Sequence, residues 1–503
     1  MVSRVLAASS EESALQLYQQ GRLEACLRRT AGTTSTAERI VRVRALIRQS
    51  RYVEALDVIA GAERATPEEE ALLLALKSAC QSLRGAPDLA RTTLAALRRG
   101  QYAPETQLEI AYARMLIAWV EDDPDAMSAA LHNVDGHDSP DVYGRWLYSL
   151  SWVAARRGEY NDQLRLLQAA TAHIAKTPEA QDVFLLASAT RALVHLVREI
   201  YAGDAFDSAV RIVESMPWTE DLEAERFLTF RGLAWAYALR GQHQKAYQYA
   251  YFARDIAPSA MWVAASYADQ AYLARMAGEN RSADALLDHA VACAKETNWT
   301  TRGEERVALL NLAELSADRD PATARALLAI YDSIPATVHT ALALAHDSRL
   351  TAMEEYTRGT VLAVTGDRQG AIEQLNNAYA TFATLGYAWR AAASALRLHT
   401  INEQDRWLQL ASEAVRDFPE SSVANEIRKK ASSSGDPRVA ALTPAQRRVF
   451  ALMCEGLSDK VIAQTLRISP ETVKNHAARV RGAFGVRSRA ALIASTHALE
   501  RAV

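Results

Sequence analysis

The chain is poor in the residues that interrupt helices. Its 503 residues include 21 glycines and 14 prolines, against abundant alanine and leucine. Few positions therefore carry the backbone cost of Gly or Pro inside an element, and the balance favours helix. Cysteine is scarcer still: Cys26, Cys80, Cys293 and Cys454 lie far apart and never form a C-x-x-C pair. That spacing argues against a disulfide framework or a zinc site and fits plain thiols in a reducing, cytoplasmic compartment. No apolar run approaches the ~18 residues needed to span a bilayer, so no membrane partner is expected. The opening MVSRVLAASSEES turns to carboxylates after a short apolar stretch, which disfavours a signal peptide.

Catalytic signatures are missing too. The chain has no G-x-x-x-x-G-K-[ST] and no Gly-Lys dipeptide, which disfavours a P-loop ATPase. It has no H-E-x-x-H and no G-x-S-x-G, and its 11 histidines are scattered. No strand–helix alternation marks a phosphoacceptor receiver domain. The expectation is a protein without catalytic residues, metal site or cofactor.

What is present is length and asymmetry. A chain of 503 residues divides into several domains or forms a long repeat array. The net charge of −3 is split unevenly. From Arg438 to Val503 there are 11 Lys and Arg against 4 Asp and Glu, whereas the remainder carries 46 against 56. All nine tryptophans precede Leu408. A basic tail on an acidic body points to a polyanion as the tail's partner.

The body repeats itself. In LAWAYALRGQHQKAYQYAYFARDIAP, Leu233, Ala234 and Tyr237 share one helix, Gly241 ends it, and Ala246, Ala250 and Ala253 line a second helix that Pro258 stops. The spacing recurs at Ala271, Gly278, Ala283, Leu287 and Ala290, and at Gly359, Leu362, Gly366, Ala371, Leu375 and Ala378. Looser copies fall at Tyr52, Ala55, Ala62 and Pro67, and at Gly158, Leu167 and Ala170. This pattern resembles the tetratricopeptide repeat, a helix–turn–helix unit of ~34 residues that stacks into a superhelix; an irregular α-bundle is the alternative. The superhelix implies a concave face lined by the first helix of each pair. In this register that face holds Tyr148, Trp152, Arg156, Arg231, Trp235, Tyr272, Arg275 and Tyr356. Aromatics interleaved with arginines suit a small-molecule, peptide or protein effector, or else simply pack between helices.

After FPESSVANEIRKKASSSGDPRVA, whose Ser, Gly and Pro read as a linker, the punctuation sharpens. The expected division is 1–420 for the repeat region, 421–437 for the linker and 438–503 for the tail. Thr443, Pro444 and Gln446 spell a capped helix start, and Gly456 a helix end. Ser458 caps a second helix carrying Ile462, Ala463 and Leu466, Arg467-Ile468-Ser469 makes a turn, and Pro470 opens a third helix. That helix buries Val473, Ala477, Val480 and Phe484, leaving Lys474, Asn475, Ala478 and Arg481 on or beside its outer face. A tight turn, a small crossing residue and an outer face bearing donors and cations are what a DNA-reading helix-turn-helix needs.

The segment Leu442 to Ile493 resembles the DNA-binding domain of the LuxR/FixJ regulators. Their blocks are matched by Leu442-Thr443, Gly456 to Ala463, Leu466 to His476, and Gly485 to Arg489. The resemblance implies a four-helix domain that binds double-stranded DNA. It places Lys474, Asn475 and Ala478 at base-facing positions. Thr472, Arg479, Lys460 and the helix start at Ser469 would lie near phosphates. The family's fourth helix, here including Leu492 and Ile493, implies a homodimer. Departures are Gln446 and Arg448 at positions of usual glutamates, Asp459 at a usual Asn, and Ala483 at a usual Lys. The expected whole is an all-α, tetratricopeptide-like solenoid followed by a helix-turn-helix domain: a cytoplasmic, nucleoid-associated transcriptional regulator. Its alternative is a protein-interaction scaffold with secondary or no DNA binding.

Overall fold

The computed structural model describes residues 12–61, 66–98, 100–132, 134, 140–176, 182–200, 203–297, 299, 303–334, 348–435, 438 and 442–493. Every regular element among them is helical. Eleven pairs come first: Ala14–Gln19 and Leu23–Arg29 (α1, α2), Thr36–Arg48 and Tyr52–Ala60 (α3, α4), Pro67–Leu83 and Pro87–Ala95 (α5, α6), Pro104–Val120 and Pro124–Leu131 (α7, α8), Pro140–Arg156 and Tyr160–Ile174 (α9, α10), Val183–Glu199 and Gly203–Ser215 (α11, α12), Glu223–Leu239 and His243–Asp255 (α13, α14), Ala260–Met276 and Asn280–Glu296 (α15, α16), Gly303–Ala317 and Pro321–Ser333 (α17, α18), Ser348–Thr365 and Arg368–Thr384 (α19, α20), Ala388–Asn402 and Asp405–Ala414 (α21, α22). Ser422–Gly435 (α23) follows, then Pro444–Cys454 (α24), Asp459–Leu466 (α25) and Pro470–Ala483 (α26).

The pairs arise from local chemistry. Proline opens α5, α6, α7, α8 and α18, where its missing N–H costs nothing. Between partners the chain reverses through one left-handed residue: Gly158, Gly241, Gly278 and Gly366 take positive φ. The carbonyl five residues back then accepts the next free amide, as in Gln242 N to Tyr237 O at 2.9 Å and Glu279 N to Ala274 O at 2.9 Å. The same turn occurs at Gly85, and at Ser50 (φ 59°) and Asp122 (φ 57°), which lack glycine's freedom. The array therefore has repeats around residues 85 and 122 that the sequence pattern did not reveal.

Each pair's first helix packs on its partner and, along most of the array, on the first helix of the next pair, giving two layers. The layers differ in burial. In α13 every residue from Phe227 to Leu239 is buried, as for a helix enclosed on all sides. In α14 only Ala246, Tyr249, Ala250 and Ala253 are, one stripe at i, i+3, i+4 and i+7. The alanines expected to let paired helices approach thus lie at the seam. One hydrophobic cluster runs from Leu164 to Ile427, continuous through the stack.

The interval 421–437, read as linker, is largely helical. α23 packs on α21 and α22 and buries Ala424 and Ile427, because the apolar spacing of SVANEI outweighs the Ser and Gly that follow. The tail has its own core of Leu442, Val449, Phe450, Met453, Ile462, Ala463, Val473, Ala477, Val480, Phe484 and Leu492. No hydrophobic side chain described before Leu442 joins it, though the Arg438 guanidinium lies 4.7 Å over the Phe484 ring. The fourth helix expected over 488–503 is described only as far as Ile493, and the rest lies outside the described residues.

Candidate nucleic-acid interface

The tail folds as its punctuation predicts. Thr443 Oγ1 accepts from Gln446 N at 3.3 Å, while Gln446 Oε1 accepts from Thr443 N at 2.9 Å, a reciprocal capping box at the start of α24. α25 ends at Arg467, a non-glycine residue in the left-handed region (φ 53°), and Ile468 N donates to Ala463 O at 3.0 Å to close the turn. Ser469 Oγ accepts from Thr472 N at 3.0 Å and sits 2.8 Å from Thr472 Oγ1, and Pro470 starts α26.

α26 is two-faced. Val473, Ala477 and Val480 point into the core with Phe484 beyond them, and Phe484 stacks on Phe450 at 4.9 Å between ring centres. Lys474, Asn475, Ala478 and Arg479 lie exposed on the other face, with Thr472 and Arg481 half-buried at its edges. Lys460, the second residue of α25, is exposed, as is Ser469. Lys474 Nζ lies 3.5 Å from Glu471, an exposed pair worth little and easily exchanged for another anion. The outer face of α26 thus carries two exposed cations, Lys474 and Arg479, and an exposed side-chain amide, Asn475, following the backbone amides of its first turn.

Two features carry the geometry without standing out in the helical pattern. Arg489 ties three segments: Nη1 reaches Asp459 at 3.2 Å, and Nη2 donates to the carbonyls of Met453, at 3.4 Å, and Leu457. It thereby holds α25 against the end of α24. The usual Asn is replaced by an Asp whose charge suits that role. His476 is half-buried beside the exposed face, its Nδ1 buried without a hydrogen-bond partner. Leu492, expected at a dimer contact, is fully buried in the tail's own core, because its helix register turns it inward; Ile493 is half-buried.

The eight residues expected on one concave face separate into three places. Tyr148, Trp152 and Arg156 join Tyr112 and Trp119: Trp152 meets Tyr112 at 6.4 Å and Trp119 at 6.3 Å, and Arg156 pairs with Asp122 at 3.0 Å. Arg275, in the last turn of α15, is exposed and pairs with Asp284 of α16 at 2.9 Å, drawn to that carboxylate rather than into the interior. Arg231, Trp235, Tyr272 and Tyr356 do converge. Arg231 forks onto buried Asp269, and Trp235 packs on Tyr272 at 4.7 Å. Glu314 accepts from Tyr272 at 2.9 Å and from Tyr356 at 3.2 Å. Burial holds the Glu314 carboxyl above its ordinary range despite those donors. The inner face is thus a buried polar network. Its acidic members were overlooked, though a lone Asp or Glu inside an apolar helix, as in AASYADQAYLA, ALLNLAELSA and LEIAYARMLIAW, is a readable sign.

Comparison with known proteins gives one family match: residues 440–496 fit the bacterial regulatory proteins of the luxR family. No curated protein matches the chain. Solved structures similar to it include the apo form of the quorum sensor NprR from B. thuringiensis, at 11% identity over 75% of this chain and 97% of that one, with a TM-score of 0.43. A Rap protein complexed with competence and sporulation factor is 14% identical over 68% and 100%, with a TM-score of 0.35. A human IFIT1 dimer with m7Gppp-AAAA is 14% identical over 86% and 96%, with a TM-score of 0.41. The family match falls on the segment whose helices, caps and exposed face were built above: the chain carries, after a tetratricopeptide-like helical array, a helix-turn-helix domain of the luxR family of bacterial regulatory proteins.

Proposed function

We infer that this protein is a DNA-binding transcriptional regulator. In this reading residues 438–503 read operator DNA, 1–420 receive an effector or partner protein, and 421–437, mostly α23, connect them. The observation that carries it is the exposed face of α26, where Lys474, Asn475, Ala478 and Arg479 stand free of the core that Val473, Ala477 and Val480 build. Lys474, Asn475 and Ala478 face base edges: the ammonium and the amide donate, and the Ala478 methyl suits a thymine methyl. Lys460, Thr472, Arg479, Arg481 and the amides after Ser469 meet phosphates. Binding as a homodimer matches half-sites one helical turn apart, and the contact would draw on the helix that follows Arg489. The effector acts by changing how the tail is presented. The protein works in the cytoplasm, at the nucleoid.

A gel-shift titration with genomic fragments tests this. Saturable, sequence-selective binding that Lys474→Ala and Asn475→Ala weaken is the expected result. Binding indifferent to both changes at moderate salt would move the interface off α26. No binding at all would leave a protein-interaction scaffold.

A further inference from the structure

The first helix of the last pair reaches back across the array. Trp389 and Arg390, in the first turn of α21, are 2% and 6% exposed, although α21 stacks locally on α20 and α22. Their burial comes from far away in the chain. Trp389 Nε1 donates to Glu199 Oε2 at 2.8 Å, and Arg390 Nε lies 3.4 Å from the same oxygen. The Trp389 ring packs on Trp235 at 5.8 Å, and the Arg390 guanidinium lies over the Trp389 ring at 4.2 Å. The other Glu199 oxygen is held by Arg198 at 2.8 Å. Glu199 ends α11 and Trp235 belongs to α13, so the contact bridges 190 residues.

This contact lies on a seam. Tyr387 meets Tyr160 at 5.4 Å, Arg240 covers Phe418 at 6.0 Å, and a Cβ at Gly241 would come within 3.0 Å of Glu420 O. The closing end of the array is docked on its middle. Stacking of neighbours holds a solenoid together without any such closure. The inner surface that closure covers is the one on which a solenoid receives ligands. Against Trp235 and Arg390 a cavity of about 10 Å³ remains, room for one water at most, lined also by His195, Arg198, Arg231 and Asp269. Arg390 Nε makes no proper hydrogen bond there. The fit is therefore close but incomplete, as for an occupant that can be exchanged.

We propose that Glu199 and Trp235 form a receptor site for an aromatic side chain followed by arginine. Trp389–Arg390 is its resident ligand, and a partner polypeptide presenting the same pair displaces it. Such a partner gains the same two elements, an indole N–H on a buried carboxylate and a guanidinium beside it. Displacement frees α21, and with it α22 and α23, the helices that lead to the tail. This rests on the reading that the array receives an effector, and it names that effector's chemistry.

The test uses the full chain and a labelled synthetic peptide of residues 386–403 as probe. Trp389→Ala/Arg390→Ala vacates the site. The vacated chain should bind the peptide at least tenfold more tightly than the unaltered chain, by fluorescence anisotropy. Adding Glu199→Gln should remove at least tenfold of that gain, and a peptide with Ala for Trp should not bind. Equal binding by vacated and unaltered chains, or indifference to Glu199→Gln, overturns the proposal. If the vacated chain fails to fold by circular dichroism, hydrogen exchange of the unaltered chain at saturating peptide decides: α22 and α23 should exchange faster, and unchanged exchange refutes displacement. Gel shifts on the same preparations separate the two readings. Lost DNA binding strikes the regulator, whereas failed peptide arms with intact gel shifts strike only this site.

Discussion

Glu109 offers a quantitative test of how the inner layer is held. It lies on α7, 5% exposed, with Arg145 of α9 at 2.7 Å and Arg44 of α3 at 3.1 Å. One carboxylate thus ties three helices from three pairs. Burial alone would raise its pKa, but Arg145 and Arg44 overcome that and bring it from 4.5 to about 2. A folded-state pKa below the unfolded one adds stability that is complete above pH ~5 and lost as pH falls toward ~2. A shift of this size corresponds to about 3 kcal/mol, of which about 2 is gone by pH 3. Glu109→Gln removes the charge and leaves two buried guanidinia without a counter-ion, a loss of about 3–5 kcal/mol at pH 7. Because repeat arrays open in parts, the assay is hydrogen exchange of peptides from α3, α7 and α9 between pH 5 and 7, corrected for intrinsic rates. Urea unfolding extends it to pH 3. The substitution should speed exchange in all three helices together, and the gap between variant and wild type should shrink as pH drops. A gap under about 1 kcal/mol at pH 7, or one that is constant down to pH 3, would refute the reasoning.

Four further outcomes follow from geometry. Arg467→Gly, at φ 53° in the helix-turn-helix turn, should stabilise the tail by about 0.5–1 kcal/mol in thermal unfolding, and a loss would show that the Arg467 side chain holds the turn. Gly241→Ala, at φ +72° and against Glu420 O, should destabilise the array by about 1 kcal/mol or more, measured by urea unfolding; an unchanged midpoint would place residue 420 elsewhere. Lys474→Ala should reduce the salt slope of DNA binding by about one, so the deficit shrinks about 3.5-fold between 50 and 200 mM salt, while Asn475→Ala should cost about 1–3 kcal/mol on the best site only.

How much was legible depended on where each signal resides. Caps and turns are local, so Thr443-Pro444-Gln446 and Ser469-Pro470 announced α24 and α26 directly, and the periodicity of Val473, Ala477 and Val480 gave the outer face by subtraction. The repeats were readable where the small-residue spacing is full, as around Gly241 and Gly278, faint after Ser50, and missed around Gly85 and Asp122, although all these turns take the same conformation. The serines of 431–434 read as linker, yet burial of Ala424 and Ile427 by neighbouring helices draws the segment into α23. The inner network was the least legible. Glu199 and Trp389 meet across 190 residues, and no local pattern encodes a closure that depends on the curvature of the whole stack. Register also limits single positions: three residues separate half-buried Tyr272 from exposed Arg275, and Leu492, expected at a surface contact, lies in the core.

The central claim, that the exposed face of α26 reads base sequence, is tested most directly by selecting duplexes from a random pool with the full chain and repeating the selection with Asn475→Ala. The account predicts an enriched motif for the unaltered chain, and the same motif with preference lost at one base pair per half-site for the variant. An unaltered chain that enriches no motif at about 150 mM salt, or a variant that enriches an unchanged one, would contradict it.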